Sequence, residues 1–418
     1  MDLPKTHQNN WSENALVALA FAIPCAKKLI PLVIGIVFIV AITRTIRLKK
    51  LQTPQRISLP LGLLILYALL IGGLCYTDEP ERGLMELEIK LSFLIFPLLS
   101  WLLPNIGLES FRKISYSFVL GCLAFLIVTV TRAAFISFQA HDLYFMSYEN
   151  LSWYIHPTYA ALYQSFGIYL LADAALEKKY LLNKPRLHAI AMACMLIFIG
   201  LLASKAGLIG AIIAIALCSW KAFQKRIAFG KIMIGAIAAT TIVIATTAFL
   251  PQSAHRVQMA MQDLHVSENQ TAATSATGDT EVHTVSLSST QLRLVTWQAS
   301  WHVLLAHPFG AGTGGVQKIL DNLYLMEGET FAEEHHLNSH NQFLQTGAEH
   351  GWPGLAVLIL LLFALVRFVS ISNGLHVAQV FALLCGMNFL FESFLEVQAG
   401  IVFFSFWILI FAKIKRGF

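Results

Sequence analysis

Apolar runs close to the length of a bilayer-crossing helix recur along most of this chain, and charge is confined to the stretches between them. No other feature limits the fold so strongly. A helix needs roughly 20 apolar residues to cross the hydrocarbon core, and in lipid only helices and closed barrels satisfy their own backbone. Across 418 residues the hydrophobic fraction is 56% and the charged fraction 13%, against about 25% charged in a typical soluble domain. One aqueous core could not hide that much apolar surface. The expected fold class is therefore all-α: a polytopic membrane protein with about twelve transmembrane helices and one large loop facing the periplasm or cell exterior. The spans read near 13–26, 29–46, 57–76, 90–104, 114–132, 156–175, 187–203, 206–220, 231–250, 349–369, 374–391 and 397–413. This divides the chain into membrane helices over 1–250, a loop over 251–348 and membrane helices again over 349–418. Only Ser204-Lys205 parts the spans near 187–220, which predicts a tight hairpin or one broken helix.

Basic residues set the orientation. Arg44, Arg47, Lys49, Lys50 and Arg56 fill one loop, Arg112 and Lys113 mark another, and Lys178, Lys179, Lys184 and Arg186 fill a third. Lys221, Lys225, Arg226 and Lys231 follow, then Arg367 and the tail Lys413, Lys415 and Arg416. With twelve spans these all fall on the cytoplasmic side, together with both termini. The 133–155 loop, the 251–348 segment and the Glu392–Glu396 turn then face outward. The net charge of +5 is small and scattered, so it reads as topology and not as nucleic-acid binding. The first apolar stretch lacks a small-residue cleavage site, so no cleavable signal peptide is expected. All six cysteines lie in apolar runs and no CxxC spacing exists, so they read as packing residues.

The outward segments hold the polar residues that composition does not explain. Residues 267–291 are rich in Ser and Thr and read as flexible. Over 292–306, Leu292, Val295, Ala299 and Val303 recur at helical spacing beside Trp297 and Trp301, which predicts a helix near the membrane surface, ended by His307-Pro308. Arg293 opens that helix, where the dipole gives a cation no benefit. It reads either as a diphosphate clamp or as a snorkelling side chain. His335-His336-Leu337-Asn338-Ser339-His340-Asn341-Gln342 closes the loop just before a span. An imidazole there can accept a proton near neutral pH beside a lipid-borne substrate, while a solvated loop histidine is the plain alternative. Three imidazoles could also meet around a metal, though no zinc spacing is present. Lys205 and His156 sit at outer membrane edges, where charge is costly. Glu392 and Glu396, four apart, would share one face if helical and could pair with a nearby arginine. Gly310-Ala311-Gly312-Thr313-Gly314-Gly315 lacks the GK[ST] ending of a nucleotide loop and reads as a turn that could approach a ligand. Gly351-Trp352-Pro353-Gly354 fits a bend.

In order along the chain, His156-Pro157-Thr158-Tyr159, Ser204-Lys205-Ala206-Gly207, Arg293-(x)3-Trp297, His307-Pro308-Phe309-Gly310-Ala311-Gly312, His340-Asn341-(x)2-Leu344, Gly351-Trp352-Pro353-Gly354 and Glu392-Ser393-(x)2-Glu396-(x)-Gln398-(x)-Gly400 resemble the O-antigen ligase and polymerase superfamily of bacterial membrane glycosyltransferases. Where many members carry an arginine after the hairpin serine, this chain has Lys205, which keeps the charge and loses the fork. The resemblance implies a GT-C-like architecture in the bacterial inner membrane with a periplasmic site. It implies metal-independent, inverting transfer of a glycan from undecaprenyl diphosphate to the lipid A–core oligosaccharide, with no cofactor. His340 would be the base and Arg293 its catalytic partner. Lys205, Arg256, Asn341, His156, Gly312 and Glu392 would bind the diphosphate or glycan. A polymerase joining repeat units on the same carrier is the alternative. A transporter or lipid flippase would need repeated broken helices at midplane, and no internal repeat is visible. Beyond donor, acceptor and membrane lipids, no nucleic acid partner is expected.

Overall fold

The computed structural model describes residues 5–180, 183–249, 289–367 and 377–415. Among these, regular structure is helical, apart from one isolated bridge between Ile106 and Ile414. Helices α1 (Lys5–Cys25), α2 (Ile30–Leu48) and α3 (Ser58–Gly73) precede two short ones, α4 (Pro80–Ile89) and α5 (Ser92–Leu102). Next come α6 (Leu108–Ala140), α7 (Tyr148–Ser152), α8 (Pro157–Leu176), α9 (Pro185–Leu202), α10 (Lys205–Gln224) and α11 (Phe229–Phe249). The outward segment contributes α12 (Ser289–Ala306), α13 (Val316–Glu327) and α14 (Thr330–Glu334). Helices α15 (Gln342–Val366), α16 (Val377–Phe391) and α17 (Gln398–Lys413) close the described chain.

Six described stretches are long and apolar enough to cross a membrane: Lys27–Leu48, Leu108–Ala140, Pro185–Leu202, Lys205–Gln224, Phe229–Phe249 and Gln342–Val366. Four shorter apolar helices accompany them, Trp11–Cys25, Ser58–Gly73, Val377–Phe391 and Gln398–Lys413. The expected count of about twelve is not reached by this measure. The run at 90–104 is one reason. Its helix has only 11 residues, about 16 Å at 1.5 Å per residue, which is half the hydrocarbon thickness.

Two helices run through the centre and are walled off from lipid. Residues Pro157–Leu171 of α8 are buried in succession, as are Ala399–Lys413 of α17. A helix apolar on every side belongs inside a bundle. Aromatic rings join these two to α6 and α16: Phe166 and Trp407 lie 4.8 Å apart, Tyr163 and Phe403 4.7 Å, and Phe166 and Phe381 5.3 Å. Lipid tails are as apolar as these rings, so close packing rather than water exclusion holds them together.

The basic segments meet at one end of the bundle. Arg44 Nη1 donates to the Leu102 carbonyl (3.3 Å), Arg56 Nη1 to the Ile414 carbonyl (3.0 Å) and Lys413 Nζ to the Gln52 carbonyl (3.3 Å). Arg112 pairs with Glu177 at 2.7 Å, and Lys221 pairs with Asp173. Lys27 goes the other way: its Nζ donates to the Tyr154 carbonyl (3.4 Å) in the 133–155 region. Helix α15 bends at Gly351, whose φ of 65° suits glycine, and the Trp352 N–H then donates to the Pro308 carbonyl (3.0 Å). The bend expected from Gly351-Trp352-Pro353-Gly354 is therefore present.

Candidate functional site

Helix α12 forms as its periodicity predicts, with Ala299 and Val303 fully buried and Trp301 exposed. It begins at Ser289, so Arg293 stands one turn in. Three buried hydroxyls tie this helix to the segment that carries His340. Thr296 Oγ1 donates to the Ser339 carbonyl (3.3 Å), Ser300 Oγ donates to Ser339 Oγ (2.7 Å), and Ser339 Oγ donates to Gln345 Oε1 (2.8 Å). Arg293 lies one turn from Thr296, so the same face that grips Ser339 brings the guanidinium toward His340.

His340 adopts φ = 42°, an uncommon left-handed conformation for a non-glycine residue. Two contacts hold it there. Its N–H donates to Asn338 Oδ1 (3.0 Å), and the next residue, Asn341, caps α15. Asn341 Oδ1 accepts from the N–H groups of Phe343 (2.9 Å) and Leu344 (3.1 Å), and its Nδ2 donates to the Leu390 carbonyl (3.3 Å). Asn341, expected to bind substrate, is thus engaged in fixing the backbone beside His340; such a cap contributes about 1 kcal/mol.

Glu392 occupies the centre. Its Oε2 lies 3.6 Å from His340 Nδ1 and its Oε1 lies 3.3 Å from Arg293 Nη2. Thr158 Oγ1 donates to the same Oε1 at 3.5 Å and is 3.1 Å from Ser204 Oγ. Burial would raise the Glu392 pKa, but His340, His156 and Arg293 together outweigh burial and hold it below the usual carboxylate range. Glu392 was expected to touch substrate. It contacts both groups expected to do chemistry, and the pairing with a nearby arginine that the sequence allowed is present. The side chains of His340 and Arg293 are 35% and 24% exposed, that of Glu392 only 10%, so the two outer groups remain reachable.

His156 caps α8, its Nδ1 accepting from the Thr158 N–H (3.4 Å). Burial pushes its pKa down, against the pull of Glu392 and Glu149. Ser204 caps α10 by accepting from the Gly207 N–H (3.3 Å). Ala203, with φ = 44°, breaks the chain between α9 and α10, as the sequence led one to expect. Lys205 follows at the first helical position and donates to Thr290 Oγ1 at 3.3 Å, one turn before Arg293. The helix dipole disfavours a cation there. The N-termini of α8, α10 and α15 therefore open beside two cations, Arg293 and Lys205. The N–H groups of Thr158, Gly207 and Phe343 are already taken by the caps, so the two cations and the positive dipole ends are what favour an anion here.

Not every expected residue joins this group. Gly312 (φ = 84°) packs against α3, where a Cβ would come within 2.8 Å of the Gly73 carbonyl oxygen and 3.0 Å of Thr77. Its partners in the loop behave alike: the Ala311 and Gly312 N–H groups donate to the carbonyls of Ala348 and Glu349. Close backbone packing accounts for this glycine-rich turn, and none of these contacts involves the His340 cluster. His336 Nδ1 contacts Asp321 Oδ2 (2.8 Å) and His335 stacks on Phe331 at 4.0 Å, so neither shares a partner with His340. Arg256 lies outside the described residues. Glu392 and Glu396 do not share a helical face. Helix α16 ends at Phe391, and a 3-10 turn over Phe394–Glu396 sends the second carboxylate to Lys90. Sequence reasoning missed Lys90, Thr296 and Ser300, and named Ser339 only as part of the histidine-rich stretch; for Lys90, a lysine opening an apolar run was the one available signal.

A helical, multi-pass membrane protein with an anion-favouring polar site at the end of the bundle away from its basic loops is the class these features define. Residues 190–359 match the family model described as O-antigen ligase. The match takes in Lys205, Arg293 and His340. No curated protein matches the chain.

Proposed function

We propose that the chain is an O-antigen ligase. It transfers a glycan from undecaprenyl diphosphate to the lipid A–core oligosaccharide at the periplasmic face of the inner membrane, with both termini cytoplasmic. Residues 251–348 then form the periplasmic part between two sets of membrane helices, 1–250 and 349–418. The single observation that carries this reading is the meeting of His340 and Arg293 on either side of Glu392.

The chemistry follows from that arrangement. Glu392 faces His340 Nδ1, which leaves Nε2 to take the proton of the acceptor hydroxyl. The acceptor oxygen attacks the anomeric carbon, the bond to the diphosphate oxygen breaks, and the diphosphate leaves with the electron pair. Arg293, Lys205 and the N-termini of α8 and α10 meet the negative charge that grows there. A single displacement inverts the anomeric carbon. Fixed cations thus do what a metal ion does at other diphosphate sites.

Deletion of the gene and complementation with wild type or His340→Ala tests the reading on gels of extracted lipopolysaccharide. The expected result is loss of polymer from lipid A–core in the deletion and in His340→Ala, with carrier-linked polymer accumulating and the variant still inserted in the membrane. Full attachment with His340→Ala rejects the base. Short single-repeat caps in the deletion indicate a polymerase acting on the same carrier.

A further inference from the structure

Glu396 leads away from the transfer site into the bundle. Lys90, at the junction of α4 and α5, is only 3% exposed. Its Nζ lies 2.7 Å from Glu349 Oε2, 2.8 Å from Glu396 Oε2 and 3.2 Å from Glu86 Oε2. The three carboxylates can each bring an oxygen within 4.8 Å of the others, and the ammonium supplies the positive charge among them. Burial pushes Glu86 up to about 7 despite the pull of Lys90. A proton held there near neutral pH lessens the excess of negative charge. The adjoining cavity, lined by Gln342, Thr346, Glu349 and His350 among others, measures about 20 Å³, room for about one water molecule. No sugar or diphosphate can enter it. The cluster is therefore a closed structure and not a second substrate site.

What it holds is the turn between Glu392 and Glu396. Gln342, two residues after His340, donates from Nε2 to Glu396 Oε1 (3.0 Å) and accepts the Leu395 N–H at Oε1. Ser393 Oγ donates to Asn338 Oδ1 (3.2 Å). The turn is thus gripped at one end by Lys90 and Gln342, and at the other it presents Glu392. Glu349 sits on α15 two residues before the Gly351 bend, so Lys90 also ties down the helix that Asn341 caps. A buried ammonium with several charged partners has a defined position, because leaving any of them is costly.

We propose that Lys90 is a positioning residue of the transfer site: by binding Glu396 and Glu349 it fixes the turn that sets Glu392 against His340 and Arg293. This rests on the reading of His340 as the base. The test uses the purified full chain in nanodiscs, as wild type, Lys90→Met, Lys90→Arg and Glu396→Gln. Transfer kinetics with the undecaprenyl-diphosphate donor are measured across pH. The ring resonance of His340 is followed in ¹³C-histidine-labelled protein, identified by its loss in His340→Gln. Lys90→Met is expected to lower kcat about 10–100-fold, the size of effect seen when an orienting partner is removed. Donor KM should stay within about twofold, the pH profile should change and the His340 resonance should move. Lys90→Arg should recover most of the loss, and Glu396→Gln should act in the same direction but less. Wild-type kcat, pH profile and resonance in a folded Lys90→Met protein, with only a lower melting temperature, would overturn the proposal. If Lys90→Met does not fold, Glu396→Gln decides by the same readouts. If the wild type makes no transfer, the ligase reading fails separately, and the His340 resonance alone decides for or against Lys90.

Discussion

Glu392 faces two groups that solvent and substrate can reach; Glu396, on the same turn, faces a lysine that neither can reach. The first sits between His340 and Arg293, side chains 35% and 24% exposed. The second sits against Lys90, which shares Glu349 and Glu86 as further partners. The contacts of Glu392 are 3.6 and 3.3 Å long and that of Glu396 with Lys90 is 2.8 Å. Their surroundings give them different work. An open contact can be rearranged by a substrate, so it can take part in a reaction cycle. A closed one exchanges with nothing and can only hold geometry. One turn of chain therefore joins a chemical face to a rigid support.

Removing the chemistry gives the largest expected effect. His340→Ala should abolish transfer while leaving expression and membrane insertion unchanged. Next comes Glu392→Gln, which keeps the shape and removes the charge that orients both neighbours. It should lower kcat on the order of 10²-fold, with a fall in melting temperature smaller than the loss of activity. Glu396→Gln should reverse that balance. It strips one partner from a buried ammonium that keeps two others, so the loss of stability should be about 1–3 kcal/mol, read as a lower melting temperature, with a smaller fall in kcat. If Glu396→Gln proves as inactive as Glu392→Gln at unchanged stability, the contrast between the two carboxylates is wrong.

Acid should act on the open side. The fold holds His156 below its ordinary value of 6.5, so the folded state favours neutral imidazole. The unfolded chain takes up that proton first as pH falls. Stability from His156 is therefore complete above about 6.5 and declines below it. Glu392, held below 4.5, contributes stability that is present above that value and lost on further acidification. Thermal melting between pH 7 and 5 checks the first step, and His156→Asn should flatten it. The smallest effect belongs to the exposed pair Lys318–Glu79, 2.6 Å apart. Solvent screens it, so Lys318→Met should leave both melting temperature and transfer unchanged.

The legible parts of this molecule were those in which one local rule acts alone. Helical spacing of Ala299 and Val303 gave the buried face of α12. Ser204 and Gly351 marked a helix start and a bend because backbone chemistry demands such residues there. The site was legible as a list of residue types at membrane edges, and four of them, His340, Arg293, Glu392 and His156, do come together. What spacing could not give was direction. The Glu392–Glu396 interval suggested a shared face, but the helix stops at Phe391 and sends the two side chains to different partners. Gly312 looked free to approach a ligand, yet its backbone packs on Gly73, 239 positions earlier in the chain. Lys90 stayed invisible for the same reason: its partners lie at 349 and 396, and a run that begins with a lysine reads simply as a span boundary. The apolar run at 90–104 looked like a span until the length of its helix was known.

The most direct test separates binding from transfer on two variants of the purified protein, using undecaprenyl-diphosphate-linked glycan as donor and lipid A–core as acceptor. His340→Ala should bind donor as wild type does and transfer none of it. Arg293→Lys should still transfer, with a raised KM for donor and an unchanged KM for acceptor. The opposite pattern, with donor binding lost in His340→Ala or donor affinity intact in Arg293→Lys, would contradict the division of labour between imidazole and guanidinium.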